Sequence, residues 1–139
     1  MKFQRNIVLG GTVATGIAAA AMSLGSGLSS AAVPTPPDAQ ALYGANCASC
    51  HKADGTGLGT VFPPLAGNKD VTSKNPGAIL TVVRYGKNAM PGYGGPQAAH
   101  GLTNLEVAVV MTYIRASWGN KASPVTEKQV ASAPTPAPK

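Results

Sequence analysis

The sequence predicts an all-α domain of short helices joined by long loops. Segments with apolar residues at helical spacing alternate with stretches rich in glycine and proline, which supply 17 and 12 of the 139 residues. No segment shows the regular alternation of apolar and polar residues that is typical of a half-buried strand. With 44% hydrophobic and 12% charged residues, the chain is too apolar to be wholly disordered, and its length suits one small domain.

The first 32 residues have the features of a secretory signal peptide. Lys2 and Arg5 give a basic start, residues 7–28 contain no charged side chain, and small residues precede an expected cleavage after Ala32. The alternative is an uncleaved membrane anchor, because the uncharged run reaches the length of a membrane span. In both cases the rest of the chain is expected in the periplasm. Residues 33–37 are rich in proline and are predicted to be a linker.

Two short helices are predicted in the first part of the domain, which is assigned to residues 38–119. Asp38 is a suitable N-cap for the first helix, in which apolar residues recur at helical spacing up to Cys47. Pro76 suits the first turn of the second helix, and Gly86 suits its end.

The third predicted helix is the longest. Thr103 and Glu106 form a capping box, and no helix breaker follows until Gly119. Residues 120–139 are mostly proline, alanine, serine and threonine, which predicts a flexible tail. Three short helices with long loops bury little apolar surface by themselves, so a domain of this size is expected to need a further stabilising group.

Residues 47–51 read Cys-Ala-Ser-Cys-His, which matches the C-x-x-C-H pattern of covalent haem attachment. Cys47 and Cys50, three residues apart on a helical turn, can place both thiols on one side, where they reach the two vinyl groups of one porphyrin. His51 can then ligate the iron. The predicted cofactor is therefore one haem c with its iron, and it would provide the large apolar group that the domain needs.

Three other interpretations of the two cysteines compete with haem attachment. A thioredoxin-like redox pair would require a βαβ pattern nearby, which the sequence does not show. A structural disulfide would close a very small ring and stabilise little. A zinc site would need four ligands, and His51 with the distant His100 lacks the usual paired spacing.

A second iron ligand is expected on a distant loop, and Met90 is the first candidate. It lies in the loop segment Asn-Ala-Met-Pro-Gly-Tyr at 88–93. Met111 lies within the third helix, where a role in the core is expected. His100 remains an alternative ligand.

The motif at 47–51, the segment Pro-Pro-Leu-Ala-Gly at 63–67 and the pair Met90-Pro91, followed by a long C-terminal helix, resemble the small monohaem cytochrome c family. The resemblance covers about residues 38–119 and is closest to bacterial members, among them cytochrome subunits of periplasmic dehydrogenases. It implies the cytochrome c fold, in which the first and last helices cross and short helices with long loops wrap one covalent haem.

The resemblance also implies roles for single residues. Cys47 and Cys50 would form the thioethers, while His51 and Met90 would be the two axial ligands. The carbonyl of Pro63 would accept a hydrogen bond from His51, with Pro64 as the less suitable alternative. It further implies an aromatic contact between Tyr43 and Tyr113, and it leaves Arg84 and Tyr93 as weak candidates for binding the haem propionates.

These observations predict single-electron transfer between periplasmic redox partners, by a protein that is not itself an enzyme. One alternative is a bound cytochrome subunit of a dehydrogenase or terminal oxidase, and another is a haem enzyme or gas sensor with an open iron site. Lys and Arg outnumber Asp and Glu by 11 to 5 without clustering, which fits protein partners rather than nucleic acid. Membrane contact is expected only if the N-terminal segment is retained.

Overall fold

The computed structural model describes residues 37–95 and 100–136, which form six helices. In chain order they are α1 (Ala39–Asn46), α2 (Ala48–His51), α3 (Lys69–Thr72), α4 (Gly77–Tyr85), α5 (Asn104–Ala116) and α6 (Glu127–Ala131). Strand-like pairing within the described ranges is limited to isolated bridges, Leu58 with Phe62 and Lys87 with Met90. The all-α prediction is confirmed.

The predicted signal peptide or anchor at 1–32, and all but the last residue of the linker at 33–37, lie outside the described residues. Among the helices that are described, none combines the length and the apolar character that a bilayer span requires.

Two of the three predicted helix starts, those of α1 and α5, are set by side-chain caps, whereas α4 follows Pro76 without one. The Asp38 carboxylate accepts hydrogen bonds from the amides of Gln40 and Ala41 at 2.9 and 3.1 Å. At the start of α5, the Thr103 hydroxyl accepts from the Glu106 amide at 3.2 Å, and the Glu106 carboxylate accepts from the Thr103 amide at 2.8 Å. These bonds satisfy amides that a helix leaves unpaired in its first turn. The short helices α2, α3 and α6 were not predicted.

α5 ends at Ala116, because the next residues turn the chain back on itself. Trp118 has a left-handed backbone with φ of 52°. This turn brings the Trp118 ring to 5.0 Å from the Tyr43 ring and 5.9 Å from the Tyr113 ring. The Tyr43 and Tyr113 rings are themselves 5.6 Å apart, so the aromatic contact implied by the resemblance is present where α1 packs on α5.

The core is built around α5. Its buried residues meet Tyr43 of α1, Val71 of α3 and Leu80 of α4. Those residues of α5 are Val107, Ala108, Val110, Met111 and Ile114. Because several elements cover it, α5 is buried on more than one side, as its wide apolar surface predicts.

The prediction of a flexible tail at 120–139 is wrong for residues 120–136. This segment returns along the domain, and its apolar residues Val125, Val130 and Ala133 are 6%, 0% and 7% exposed. Its helix α6 starts with a capping box between Thr126 and Gln129. The composition of the segment indicated disorder, but these three apolar residues are spaced so that each enters the core.

Two arginines attach this C-terminal segment to the rest of the domain. Arg84 of α4 donates to the carbonyls of Val130 and Ala131 at 2.9 and 3.1 Å. Arg115 of α5 is 1% exposed and donates to the Ser123 carbonyl at 2.8 Å. Arg115 also donates to carbonyls at the end of α3. This buried guanidinium on α5 therefore binds both α3 and the C-terminal segment through their carbonyls.

Candidate functional site

The residues of the Cys-x-x-Cys-His motif lie where α1 passes into α2. The Cys47 amide donates to the Tyr43 carbonyl at 2.9 Å and closes α1, and the His51 amide donates to the Cys47 carbonyl at 2.9 Å and closes α2. Cys47 and Cys50 are separate free thiols, each half-buried. Burial, and secondarily the nearby Cys50, raises the pKa of the Cys47 thiol to about 11. The motif therefore sits on a helical turn, as haem attachment requires.

His51 is 8% exposed, and its ring is held by a backbone carbonyl. Its Nδ1 lies 3.0 Å from the carbonyl oxygen of Pro63. A carbonyl can only accept, so Nδ1 carries a proton, and in the neutral ring the lone pair that can bind a metal is on Nε2. The neighbouring Pro64 carbonyl accepts from the Asn68 side chain at 2.9 Å, so the two prolines have different partners.

The loop at 55–67 brings Pro63 to His51. The Gly57 amide donates to the His51 carbonyl at 3.0 Å. Gly57 has φ of +66°, and a Cβ there would lie 2.2 Å from the Phe62 carbonyl oxygen. Only glycine therefore allows the two arms of this loop to approach each other next to His51.

Met90 closes a tight turn after α4. The amide of Lys87 donates to the carbonyl of Met90 and the amide of Met90 to the carbonyl of Lys87, both at 3.0 Å. Gly86 allows the turn to pass close to the end of α4, since a Cβ there would lie 2.6 Å from the Met90 carbonyl oxygen. Met90 is half-buried and packs against the core.

The other two ligand candidates have different surroundings. Met111 is 2% exposed within α5 and belongs to the core, and it lines only the smaller of the two cavities that His51 and Met90 share. His100 is exposed and stacks on the Tyr93 ring, with ring centres 5.0 Å apart. His100 does not line either of the cavities that His51 and Met90 share.

Two cavities, of about 310 and 180 Å³, meet between the motif and the Met90 turn. Both are lined by Cys47, His51, Pro63, Val82, Lys87, Met90 and Tyr93. The larger one also contains Cys50 and opens past Val61. The smaller one extends inward to Leu65, Ile79, Val83, Leu102, Val110 and Ile114.

This set of residues fits a covalent haem. Cys47 and Cys50 supply two free thiols, His51 supplies an imidazole with a free Nε2, and Met90 supplies a thioether sulfur. The wall of the smaller cavity is mostly apolar, with Asn68 and Asp70 among its polar residues, and this suits a large apolar ring. Among the described residues, no three of His, Cys, Asp and Glu cluster as metal ligands, so the usual zinc ligand set is not assembled there.

The two weak candidates for the propionates have other partners. The Arg84 guanidinium donates to the Gly94 carbonyl and to two carbonyls of the C-terminal segment, and it does not line either cavity. Tyr93 does line both cavities, but its hydroxyl donates to the Asn46 carbonyl at 2.7 Å. Burial raises the pKa of this hydroxyl. Lys87 is a cation at the cavity wall that sequence reasoning missed, because only its place in the turn before Met90 could indicate it.

Comparisons with known proteins show the family of this chain. The family model described as Cytochrome C oxidase, cbb3-type, subunit III matches residues 34–114. The cytochrome c subunit of the alcohol dehydrogenase (quinone) of Gluconacetobacter polyoxogenes is 40% identical over 86 residues, which are 58% of this chain and 18% of that protein. The fructose dehydrogenase cytochrome subunit of Gluconobacter japonicus is 31% identical over 102 residues, which are 67% of this chain and 21% of that protein.

A shorter relative is cytochrome c-552 of Thermus thermophilus, 32% identical over 85 residues, which are 55% of this chain and 65% of that protein. The chain thus spans only about a fifth of the dehydrogenase subunits. The family match, in contrast, covers more than half of the chain and includes both cysteines of the motif, His51 and Met90. The chain therefore belongs to this family of cytochrome c domains, whose cofactor is covalent haem c.

Proposed function

We propose that this chain is an electron carrier that takes up and releases one electron at a time. In this proposal Cys47 and Cys50 hold one haem c as thioethers, and His51 and Met90 are its axial ligands. When bound, haem c supplies a reversible change between ferric and ferrous iron. The observation that carries the proposal is that the two thiols, the imidazole and the thioether all line one cavity.

The state of the His51 ring supports its role as a ligand. The Pro63 carbonyl accepts from Nδ1, which fixes the ring orientation and makes Nε2 the nitrogen that would bind the iron. The same hydrogen bond makes the imidazole a stronger electron donor. A histidine held in this way can present Nε2 to a metal without first turning its ring.

Met90 as the second ligand supports a carrier rather than a catalyst. With side chains at both axial positions, no coordination position stays open for oxygen, peroxide or a substrate. A neutral thioether also favours the reduced state relative to a second imidazole. The aliphatic wall formed by Leu65, Val83 and other residues acts in the same direction, because an apolar surrounding disfavours the more highly charged state.

The mouth of the larger cavity is the proposed place where redox partners approach. Val61 is 69% exposed there, and the exposed residues Lys87 and Ala89 lie on the same rim. An apolar contact beside a cation suits brief encounters with a protein whose surface is acidic. We propose protein partners of this kind in the periplasm, where the segment at 1–32 would direct the chain.

A second candidate is a cytochrome subunit within a larger dehydrogenase. The names of the relatives favour it, since they include cytochrome subunits of alcohol, fructose and gluconate dehydrogenases. Size-exclusion chromatography of the protein from its native membrane and soluble fractions separates the two candidates. A free carrier elutes as a small red monomer, whereas a subunit elutes with a dehydrogenase.

Acid-acetone extraction tests the covalent attachment. We expect the colour to stay with the wild-type polypeptide and to be released from the double variant Cys47→Ala/Cys50→Ala. Ser49→Ala is the matched control, since Ser49 lies on the same turn with its side chain exposed, and it should retain the colour. Colour that leaves the wild-type chain would contradict the attachment.

The same substitution at two methionines tests the sixth ligand. Met90→Leu should abolish the weak far-red band that Met ligation gives to ferric haem, and the ferrous form should then bind carbon monoxide. Met111→Leu should keep the band, because Met111 packs within the core. A wild-type protein that lacks the band and binds carbon monoxide readily would favour the haem enzyme or gas sensor.

A further inference from the structure

The turn at 117–120, directly after α5, contacts both ends of the loop at 55–67. This loop carries Pro63, whose carbonyl accepts the hydrogen bond from His51. Trp118 meets the start of the loop, and Asn120 meets its end. Neither residue lines the cavities around His51, so neither acts on the site by direct contact.

Trp118 covers the start of the loop at Gly55. A Cβ on Gly55 would lie 2.4 Å from the Trp118 ring, so the indole lies directly against the backbone of this glycine. The Gly55 carbonyl accepts from the amides of Leu65 and Ala66 at 2.8 and 3.1 Å. The start of the loop is therefore hydrogen-bonded to its end, and the Trp118 ring packs against Gly55, the residue whose carbonyl accepts both bonds.

Asn120 holds the end of the loop through hydrogen bonds of both its side-chain oxygen and its side-chain nitrogen. Its Oδ1 accepts from the Gly67 amide at 2.9 Å, and its Nδ2 donates to the Leu65 carbonyl at 3.0 Å. Nδ2 also donates to the Ile114 carbonyl of α5 at 2.9 Å. Asn120 is only 5% exposed, so water cannot replace these three partners without opening the structure.

The loop position matters for His51 because the Pro63 carbonyl is only two residues before Leu65. The bond from His51 Nδ1 to this carbonyl measures 3.0 Å, and a shift of half an ångström would take it beyond ordinary hydrogen-bond range. We propose that Asn120, supported by Trp118, is a positioning residue that holds the loop so that Pro63 stays bonded to His51. This inference rests on the proposed role of His51 as an iron ligand.

A weaker bond between Pro63 and His51 has a measurable consequence. The imidazole becomes a poorer electron donor, so the ferric state loses more stabilisation than the ferrous state. The reduction potential should therefore rise when the hold of Asn120 is removed, although Asn120 itself does not reach the cavity.

Asn120→Asp is the variant that tests this role in the holoprotein. It keeps an oxygen that accepts from the Gly67 amide. It replaces the two hydrogen bonds to the carbonyls of Leu65 and Ile114 by contacts between a carboxylate oxygen and those carbonyl oxygens. We expect an upfield shift of the His51 Nδ1–H proton resonance. Hydrogen exchange at the Leu65 amide should be about tenfold faster, which corresponds to a free energy of local opening that is lower by about 1.4 kcal/mol. We expect a higher reduction potential in Asn120→Leu, which removes the same hydrogen bonds without adding a charge that would itself favour the ferric state.

Val130→Ala is the control for a general loss of stability, because Val130 is buried in α6 and is not among the partners of the loop. It should lower stability without moving the His51 proton resonance or the potential. If Asn120→Asp leaves the His51 proton resonance unmoved and Asn120→Leu leaves the potential unmoved, as Val130→Ala should, the positioning role is refuted.

Two measurements on the wild-type holoprotein complete the test. If Asn120→Asp does not fold, hydrogen exchange of the wild-type holoprotein tests the inference instead. The Gly67 amide should then exchange as slowly as the Leu65 amide, and an unprotected Gly67 amide overturns the inference. Hyperfine-shifted His51 ring resonances in the ferric protein report iron ligation separately. Their absence contradicts the proposed function, whereas their presence with an unaffected Asn120→Asp variant contradicts only this inference.

Discussion

Replacing Val130 by Ala measures how firmly residues 120–136 are held to the rest of the domain. Val130 is 0% exposed and lies in α6, at a part of the chain whose composition predicted disorder. In a flexible tail this substitution would cost nothing. In the observed packing it removes two methyl groups from a fully covered position.

The cost follows from burial and from the space that is left behind. Two methyl groups removed from water account for about 1.6 kcal/mol at roughly 0.8 kcal/mol each. The remaining cavity adds to this loss, because the surrounding core relaxes only in part. We therefore expect Val130→Ala to reduce the free energy of unfolding by about 2–3 kcal/mol.

Equilibrium unfolding in urea, followed by circular dichroism of the ferric holoprotein, measures this difference. Val61→Ala is the matched control, since it makes the same chemical change at a side chain that is 69% exposed. It should change the free energy of unfolding by less than about 0.5 kcal/mol. If the two variants unfold at the same urea concentration, α6 is not packed as described and the reasoning fails.

Three further predictions concern single contacts. Thr103→Ala breaks the capping box of α5 and should cost about 1 kcal/mol in urea unfolding at neutral pH. Hydrogen bonds from Thr103 lower the pKa of Glu106, so this stabilisation is present above the ordinary carboxyl pKa and should disappear as the pH falls through the lowered value. Tyr43→Phe removes the hydroxyl that donates to the Lys52 carbonyl at 2.6 Å and should cost about 1 kcal/mol. Burial raises the Tyr43 pKa to about 12, so wild-type stability should fall as the pH rises from the ordinary value of about 10 towards 12, and unfolding of the phenylalanine variant should show less of this fall. Arg84→Gln should lower stability by about 1–2 kcal/mol through its lost carbonyl contacts and leave the reduction potential unchanged, whereas a changed potential would point to contact with a propionate.

The sequence predicted the features that depend on neighbouring residues. Asp38 caps α1, Thr103 and Glu106 cap α5, and Gly86 ends α4, because each of these signals acts within one helical turn. The motif that ends in His51 was equally local. Its spacing alone predicts a turn that presents two thiols and an imidazole together.

Sequence reasoning missed the contacts that join distant parts of the chain. Arg84 and Arg115 were counted among the unclustered basic residues, whereas both bind backbone carbonyls more than forty positions away in the chain. Asn120 was assigned to a flexible tail, although its side chain joins α5 to the loop that carries Pro63. A side chain that donates hydrogen bonds to carbonyls far away in the chain leaves no periodic pattern in the sequence. Composition alone therefore cannot distinguish it from a side chain that is exposed to water.

The contacts of the C-terminal segment connect its packing to the site. The family match ends at residue 114, two residues before the end of α5. Beyond that point, α6 and the residues around it bind α4 through Arg84 and through the Thr81 hydroxyl, which donates to the Pro134 carbonyl at 2.8 Å. Because α4 supplies Val82 and Val83 to the cavity wall, the segment supports the wall from the outside, while Asn120 holds the loop that carries Pro63. The structural unit that shapes the cavity is therefore longer than the part of the chain that the family match covers.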